Sequence, residues 1–177
     1  MSKMFFRQVE STLALPFAVI VLIPAMIVYF TQSNLKFTLY NSITTISFII
    51  GTTMIIVGLL ILTKTILLFS QIGKGTLAPW DPTRKLVAIG PYRYVRNPMI
   101  ISVLLTLLGE AILLHSFPIL IFMFTFWILN HIYFIKFEEA GLIRRFGEEY
   151  IQYSETVPRW IIRFTTWKKW SARVVKT

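Results

Sequence analysis

The sequence predicts an all-α fold, a polytopic bundle of about four transmembrane helices in a single domain of residues 1–177. Two observations predict it. The chain is 55% hydrophobic and only 15% charged, whereas roughly 25% of residues are charged in a typical soluble domain. The charges are also confined to a few segments, which leaves long apolar windows. These windows approach or exceed the roughly 20 residues that a helix needs to cross the hydrocarbon core of a bilayer.

Each of four apolar windows is predicted to be a membrane helix. The first contains Pro16 and Pro24, which membrane helices tolerate because neighbouring groups satisfy the freed backbone. The second carries one charge, Lys64, near its end, where a lysine can reach the headgroups. The third contains Glu110, and a very short connection joins it to the fourth in a tight hairpin. The predicted spans are residues 12–30, 42–69, 98–114 and 117–135.

A cleavable signal peptide is the alternative interpretation of the first window. Lys3 and Arg7 resemble the charged region of such a signal, but no small-residue cleavage site follows Phe30. We therefore expect this window to be a transmembrane helix.

The distribution of lysine and arginine predicts the orientation of the bundle. Loop 71–97 carries five of these residues and the tail 136–177 carries nine, whereas the loop 31–41 has only Lys36. Both ends, loop 71–97 and the tail are therefore predicted to be cytoplasmic, in the inner membrane if the cell is prokaryotic. The net charge of +10 suits anionic lipid headgroups. Nucleic acid is not expected as a partner, because the basic residues flank apolar segments.

The tail is predicted to start as an amphipathic helix that leaves the membrane at Glu138. Beyond Pro158, tryptophan alternates with lysine and arginine, which is typical of a segment at the level of the headgroups.

Composition excludes several kinds of site. The chain has no cysteine and only two histidines, so we expect no disulfide, no cysteine nucleophile and no metal site. Phosphate-binding loops, dinucleotide fingerprints and serine elbows are absent from the sequence as well.

One cluster of polar and aromatic residues precedes the third window. Asn97 and Pro98 suit the cap and first turn of a helix, which is a purely structural interpretation. It does not explain two tyrosines and two arginines within residues 92–96. An interfacial anchor or a ligand site explains those equally well.

A second cluster, Glu138 and Glu139, lies where the fourth window ends. Adjacent side chains point about 100° apart on a helix, so only one of them need face the bundle. The structural interpretation is a solvated helix start, paired with Arg144 or Arg145. The functional interpretation is a carboxylate that accepts hydrogen bonds from a polar ligand at the cytoplasmic membrane surface.

Together these two clusters resemble the isoprenylcysteine carboxyl methyltransferases and the wider set of phospholipid methyltransferase-like membrane proteins. The resemblance is carried by LVAIGPYRYVRNP at 86–98 and by EEAGLIRRFGEEYIQY at 138–153, followed by VP at 157–158. It implies a membrane methyltransferase that uses S-adenosylmethionine. It further implies a cofactor at the cytoplasmic surface, covered by the tail, and a membrane lipid or lipophilic small molecule that enters from the bilayer.

The resemblance also implies which residues bind the cofactor. The phospholipid methyltransferases add a Gly-x-Gly, matched loosely by Gly73 and Gly75, and a Glu-Glu pair, matched by Glu138 and Glu139. The positions that correspond to other cofactor contacts of the family are Leu86, Val87, Tyr92, Asn97, Pro98 and Glu138.

Two positions depart from the carboxyl methyltransferases. Those enzymes have histidine where this chain has Asn97, and asparagine cannot take up a proton. They have a substrate-contacting arginine where this chain has Phe134, so a substrate carboxylate loses its expected partner.

Two further ionisable groups have open roles. His131 lies seven residues before Glu138 and is predicted to share its helix face, about 10 Å away, as a possible base; a hydrogen bond to a neighbouring helix is the structural alternative. Glu110 could bond Thr125 on the facing helix or line a lipid cavity. For the whole chain, a non-catalytic lipid-binding scaffold and a membrane reductase with a nicotinamide cofactor stay open as alternatives.

Overall fold

The structure, a computed structural model, describes residues 14–31, 42–68, 71 and 86–163. In these residues all regular structure is helical, which confirms the predicted all-α class. A short 3-10 turn at Gly90–Arg93 precedes the third helix. The main helices are α1 (Ala14–Thr31), α2 (Ser42–Leu68), α3 (Pro98–Leu113), α4 (Phe117–Phe146) and α5 (Glu148–Thr156).

Three of the described helices are long and apolar enough to cross a membrane, namely α1, α2 over Thr44–Leu68, and α4. The helix α3 is apolar but has 16 residues, which gives it a length of about 24 Å. By length alone, three of the four predicted spans are complete and α3 is a shorter one.

The helix α4 differs from its prediction. It does not end near residue 135 but continues as one helix to Phe146. A π-helical turn at Phe134–Glu138 joins the apolar part, Phe117–Tyr133, to the amphipathic part, Glu139–Phe146. The start of the predicted tail helix is therefore an extension of the fourth span.

The helices α2 and α3 make the most extensive contact in the bundle, and small residues allow it. A Cβ atom added to Gly51 would lie 2.8 Å from the carbonyl oxygen of Gly109. One added to Gly58 would meet the hydroxyl of Thr106 and lie 2.9 Å from the carbonyl oxygen of Ser102. Small residues at an interface let membrane helices approach closely, so that dispersion contacts and hydrogen bonds hold them together.

The predicted hairpin between α3 and α4 is confirmed. His115 adopts a positive φ of 49°, and the amide of Ser116 donates to the carbonyl of Ala111 at 2.9 Å. Beyond the turn, Ile119 of α4 packs fully buried in the bundle, as does Leu107 of α3.

The segment after α5 folds back over the entrance to α3. We name residues 157–163 the tail strap. Its backbone pairs with the turn before α3: the amide of Arg96 donates to Pro158 at 2.9 Å, and the amide of Arg163 donates to Tyr94 at 3.0 Å. Val157 is fully buried in a small core with Ala88, Tyr150 and Tyr153. The strap therefore ties α5 to the segment 86–97.

Candidate functional site

A cavity of about 640 Å³ lies where α1, the segment 86–97, α3, α4 and α5 converge. Its volume is in the range typical of small-molecule sites. The polar and aromatic residues of its lining include Tyr92, Arg96, Asn97, Asn130, Tyr133, Glu138, Arg145, Tyr150 and Tyr153.

The lining changes character along α4. At one end, the charged side chains of Arg96, Glu138 and Arg145 line the cavity. Further into the bundle the lining is apolar and includes Val19, Val103 and Phe126. The lining residues of α4 from Phe126 to Arg145 extend over about 28 Å of helix. The site can therefore hold a polar group at one end and an apolar group at the other.

The two glutamates face different surroundings. Glu138 lines the cavity, and one oxygen lies 3.9 Å from Nη2 of Arg145. Glu139 is not among the lining residues. Its Oε1 accepts hydrogen bonds from Nη1 of Arg96 at 2.8 Å and from Nε of Arg159 at 2.7 Å, and its Oε2 accepts from Nη2 of Arg159 at 2.9 Å. The hydrogen bond to Glu139 raises the pKa of Arg159, which keeps this guanidinium charged.

Asn97 lies at the cap position of α3 but makes no capping hydrogen bond with its side chain, so the purely structural interpretation of this residue is not supported. Its Nδ2 atom is buried without a hydrogen-bond partner among the described residues, and so is Nε of Arg96. Both side chains line the cavity. A buried donor without a partner costs about 1–3 kcal/mol, which a ligand with acceptor atoms would recover.

Tyr92 lies in the floor of the polar end. It is buried and lines the cavity together with Leu86 and Val87, and its carbonyl accepts a hydrogen bond from the Tyr153 hydroxyl at 2.7 Å. Burial raises the pKa of both tyrosines, so both phenols stay neutral at physiological pH. Tyr94, the other candidate for stacking on a ligand, is not among the lining residues.

Pro98 begins α3 and is buried, but it does not line the cavity. Gly73 and Gly75 lie outside the described residues. Of the positions predicted to bind a cofactor, the structure thus brings five around one cavity: Leu86, Val87, Tyr92, Asn97 and Glu138.

His131 is not where its spacing predicted. It does not line the cavity; its Nδ1 accepts a hydrogen bond from Nε1 of Trp160 at 2.8 Å, and its ring stacks on Trp127. The reason is the π turn at Phe134–Glu138, which contains about one residue more than an α turn. Two turns before Glu138 the helix therefore presents Asn130, and it is Asn130 that lines the cavity.

The suggested contact between Glu110 and Thr125 is also not present. The Thr125 hydroxyl donates to Ile121 in its own helix at 2.9 Å. Oε2 of Glu110 is buried without a hydrogen-bond partner in the described part of the chain, and Glu110 does not line the cavity.

Sequence reasoning missed several residues of the site. Asn130 was missed because no sequence pattern indicated the π turn. Arg145 was considered only as a surface partner of Glu138, although it lines the cavity beside it. Tyr150 and Tyr153 line the cavity as well. Their helical spacing from Phe146 predicts that they lie on the same side of a helix, but it did not indicate a ligand site.

One comparison with known proteins gives a match to the chain. The sequence model of the phospholipid methyltransferase family matches residues 46–149. This stretch contains most of α2, the turn before α3, and α3 and α4 with both glutamates. No curated protein gave a match to the chain.

Proposed function

Because the chain belongs to the phospholipid methyltransferase family, which comprises membrane methyltransferases that act on lipid-related substrates, we propose that it transfers a methyl group from S-adenosylmethionine to a lipophilic or lipid-linked acceptor. The reaction is assigned to the cavity between the turn before α3 and the glutamate-bearing part of α4. One observation carries the proposal. Two buried donors without partners, Nε of Arg96 and Nδ2 of Asn97, line the same cavity as the carboxylate of Glu138.

These residues fit S-adenosylmethionine by charge and hydrogen bonding. The cofactor carries a sulfonium, an ammonium and a ribose diol, which suit the Glu138 carboxylate as an acceptor. Its carboxylate and ring nitrogens suit the donors on Arg96 and Asn97. Tyr92, Leu86 and Val87 provide buried surface for the adenine. Bound there, S-adenosylmethionine would supply an already activated methyl group.

The protein's own contribution is to orient the methyl donor and the acceptor and to exclude water from the site. Methyl transfer to a nucleophile needs no nucleophilic side chain, and holding two reactants in a productive geometry is worth up to about 7–11 kcal/mol. Tyr92 and Tyr153 are not bases here, because burial raises the pKa of both phenols. The role of His131 as a base stays a prediction, and its hydrogen bond to Trp160 gives it no contact with the cavity.

The apolar part of the cavity suits the acceptor. Val19, Val103 and Phe126 give this part an apolar lining. Phe134 also lines the cavity, at the position where the carboxyl methyltransferases that the chain resembles have an arginine. A carboxylate acceptor would find an aromatic ring at that position. An amine, a hydroxyl and a carboxylate all stay open as the methylated group.

We place the polar end of the cavity in the cytoplasm. The support is the concentration of lysine and arginine in loop 71–97 and the tail, compared with the single lysine between α1 and α2. Anionic lipid headgroups would then meet the basic surface of the tail.

Thermal unfolding of the purified full chain tests the proposal. S-adenosylhomocysteine at a hundred times its dissociation constant should stabilise the protein by about 2.7 kcal/mol, and NADPH should not. Stabilisation by NADPH alone would identify a reductase, and stabilisation by neither would favour a scaffold protein. Transfer of labelled methyl groups into a membrane lipid extract, with identification of the labelled product, would then identify the acceptor.

A further inference from the structure

The adjacent glutamates of α4, Glu138 and Glu139, make different contacts. Both oxygens of Glu139 are engaged by Arg96 and Arg159, at 2.7–2.9 Å, and Glu139 does not line the cavity. Glu138 does line it, and its contact with Arg145 is a long 3.9 Å. Only Glu138 therefore has an oxygen placed to meet a ligand.

Glu139 connects three parts of the chain that are distant in sequence. Arg96 belongs to the turn before α3, Glu139 to α4, and Arg159 to the tail strap. The bond to Arg159 is a two-point contact, which adds geometric specificity to the attraction of the charges. The side chains of this cluster are 14–25% exposed, so water screens them less than it screens a surface pair.

The same cluster determines where the cavity donors point. Nη1 of Arg96 is held by Glu139, while Nε of the same guanidinium is buried and has no partner in the described structure. A guanidinium is planar and rigid, so fixing one nitrogen restricts the direction of the other. The next residue, Asn97, carries the second unpartnered donor.

The tail strap is anchored next to this cluster by a second contact. Trp160 follows Arg159, and its ring donates to His131 and lies against Trp127 and Phe134. Side-chain hydrogen bonds thus join the strap to α4 at two residues eight positions apart, Glu139 and His131. The backbone of Arg96 also donates to Pro158 of the strap.

From these contacts we infer that Glu139 is a positioning residue that does not touch the ligand: with Arg159 it clamps the tail strap to α4, and through Arg96 it aims the donors of the cavity. Its effect on cofactor binding rests on the proposed function, whereas its effect on the strap does not.

A double-mutant cycle on the full chain tests this role. Glu139→Gln and Arg159→Gln should each raise the dissociation constant for S-adenosylhomocysteine about tenfold. The double variant should also show only about a tenfold increase over the parent protein, because both substitutions break the same contact. Independent effects would multiply to roughly 100-fold. A direct ligand role for Glu139 predicts a different result, namely that Arg159→Gln leaves the affinity unchanged.

A distance measurement between the strap and α4 distinguishes the two roles, because the loss of a direct ligand contact would not change this distance. Because the chain contains no cysteine, spin labels can be placed specifically on Ile135→Cys in α4 and Ile161→Cys in the strap, both exposed positions. A narrow distance distribution is expected in the parent protein, and a broad one in Glu139→Gln and Arg159→Gln. The matched control, Glu138→Gln, should weaken binding and leave the distribution narrow.

Two results would overturn the inference: a narrow distribution in Glu139→Gln, or additive effects in the cycle. If the parent protein does not bind S-adenosylhomocysteine, the proposed function fails, and the distance measurement still decides the role of Glu139. If Glu139→Gln does not fold, Arg159→Gln carries the same test, because Arg159 is not among the residues that line the cavity.

Discussion

At the scale of single residues, the polar end of the cavity depends on a few buried side chains whose hydrogen-bonding capacity is not used within the described structure. Asn97 and Arg96 have donor atoms without partners, and Glu138 has a carboxylate with one long contact to Arg145. Native proteins satisfy the great majority of buried polar groups. Two exceptions around one cavity, Nε of Arg96 and Nδ2 of Asn97, therefore indicate a polar ligand.

Replacement of Glu138 should weaken cofactor binding. A hydrogen bond to a charged group contributes about 1.5–3 kcal/mol, so Glu138→Gln should raise the dissociation constant for S-adenosylhomocysteine by roughly 10- to 150-fold. Calorimetric titration of the purified protein measures this. Glu155→Gln, at an exposed position of α5, is the matched control and should bind like the parent. Equal affinities in Glu138→Gln and Glu155→Gln would remove Glu138 from the site.

The buried tyrosines predict how stability depends on pH. Burial raises the pKa of Tyr92 and Tyr153, whereas a tyrosine in the unfolded chain loses its proton near pH 10. The unfolded state therefore releases protons first, and stability that is complete below about pH 10 is lost as the pH rises beyond it. The thermal unfolding temperature should therefore begin to fall near pH 10 and continue to fall as the pH is raised further.

Tyr153→Phe checks the origin of this loss. The variant should be less stable at neutral pH by about 1–3 kcal/mol, because the buried Tyr92 carbonyl loses its donor. Its midpoint should also fall less steeply in alkali. Tyr29→Phe, at a position 77% exposed, should keep the slope of the parent. An unchanged slope in Tyr153→Phe would show that the alkaline loss has another cause.

At the scale of the elements, two local features position the site. The close contact of α2 with α3 supports the cavity wall that Val103 and Met99 contribute. The π turn in α4 determines which side chains before Glu138 face the cavity. Single π turns within α-helices are frequent at functional sites. This one places Asn130, and not His131, in the lining of the cavity.

The glycines between α2 and α3 should not tolerate a methyl group. In Gly58→Ala the new Cβ would meet Thr106 and the backbone of Ser102 at 2.9 Å, and such overpacking costs about 1–3 kcal/mol. Gly141→Ala makes the same substitution in α4, where the nearest atom would be Nη2 of Arg145 at 3.7 Å. The thermal unfolding midpoint should fall in Gly58→Ala only. Equal midpoints would contradict the close packing of α2 on α3.

At the scale of the whole molecule, the cavity opens from a polar cytoplasmic end to an apolar membrane end in the orientation we propose. That orientation places the turn between α3 and α4 on the opposite side of the membrane from α5. His115 in that turn and Glu155 in α5 are both exposed, so both positions can be labelled.

Cysteine labelling in oriented membranes tests the orientation. The natural chain has no cysteine, so His115→Cys and Glu155→Cys each introduce a single thiol. A membrane-impermeant thiol reagent applied to the non-cytoplasmic face should label only His115→Cys. The same reagent applied to the cytoplasmic face should label only Glu155→Cys. Labelling of both positions from one face would exclude the proposed topology.

The sequence by itself determined the properties that add up over many residues. Hydropathy over about 20 residues indicated the spans, although α3 proved short and α4 continued beyond its predicted end. The paired motifs at 86–98 and 138–153 indicated the family, which the match over residues 46–149 confirms. Averages of this kind tolerate an error of one residue at any position.

Only the tertiary structure decided which side chains meet. Adjacent glutamates of the same type differ in role because successive residues on a helix point about 100° apart, and one extra residue in a π turn moved His131 off the predicted face. Arg96, Glu139 and Arg159 meet across 43 and 20 residues of chain. Such contacts depend on how the helices and the tail strap pack against each other, which no local pattern in the sequence records.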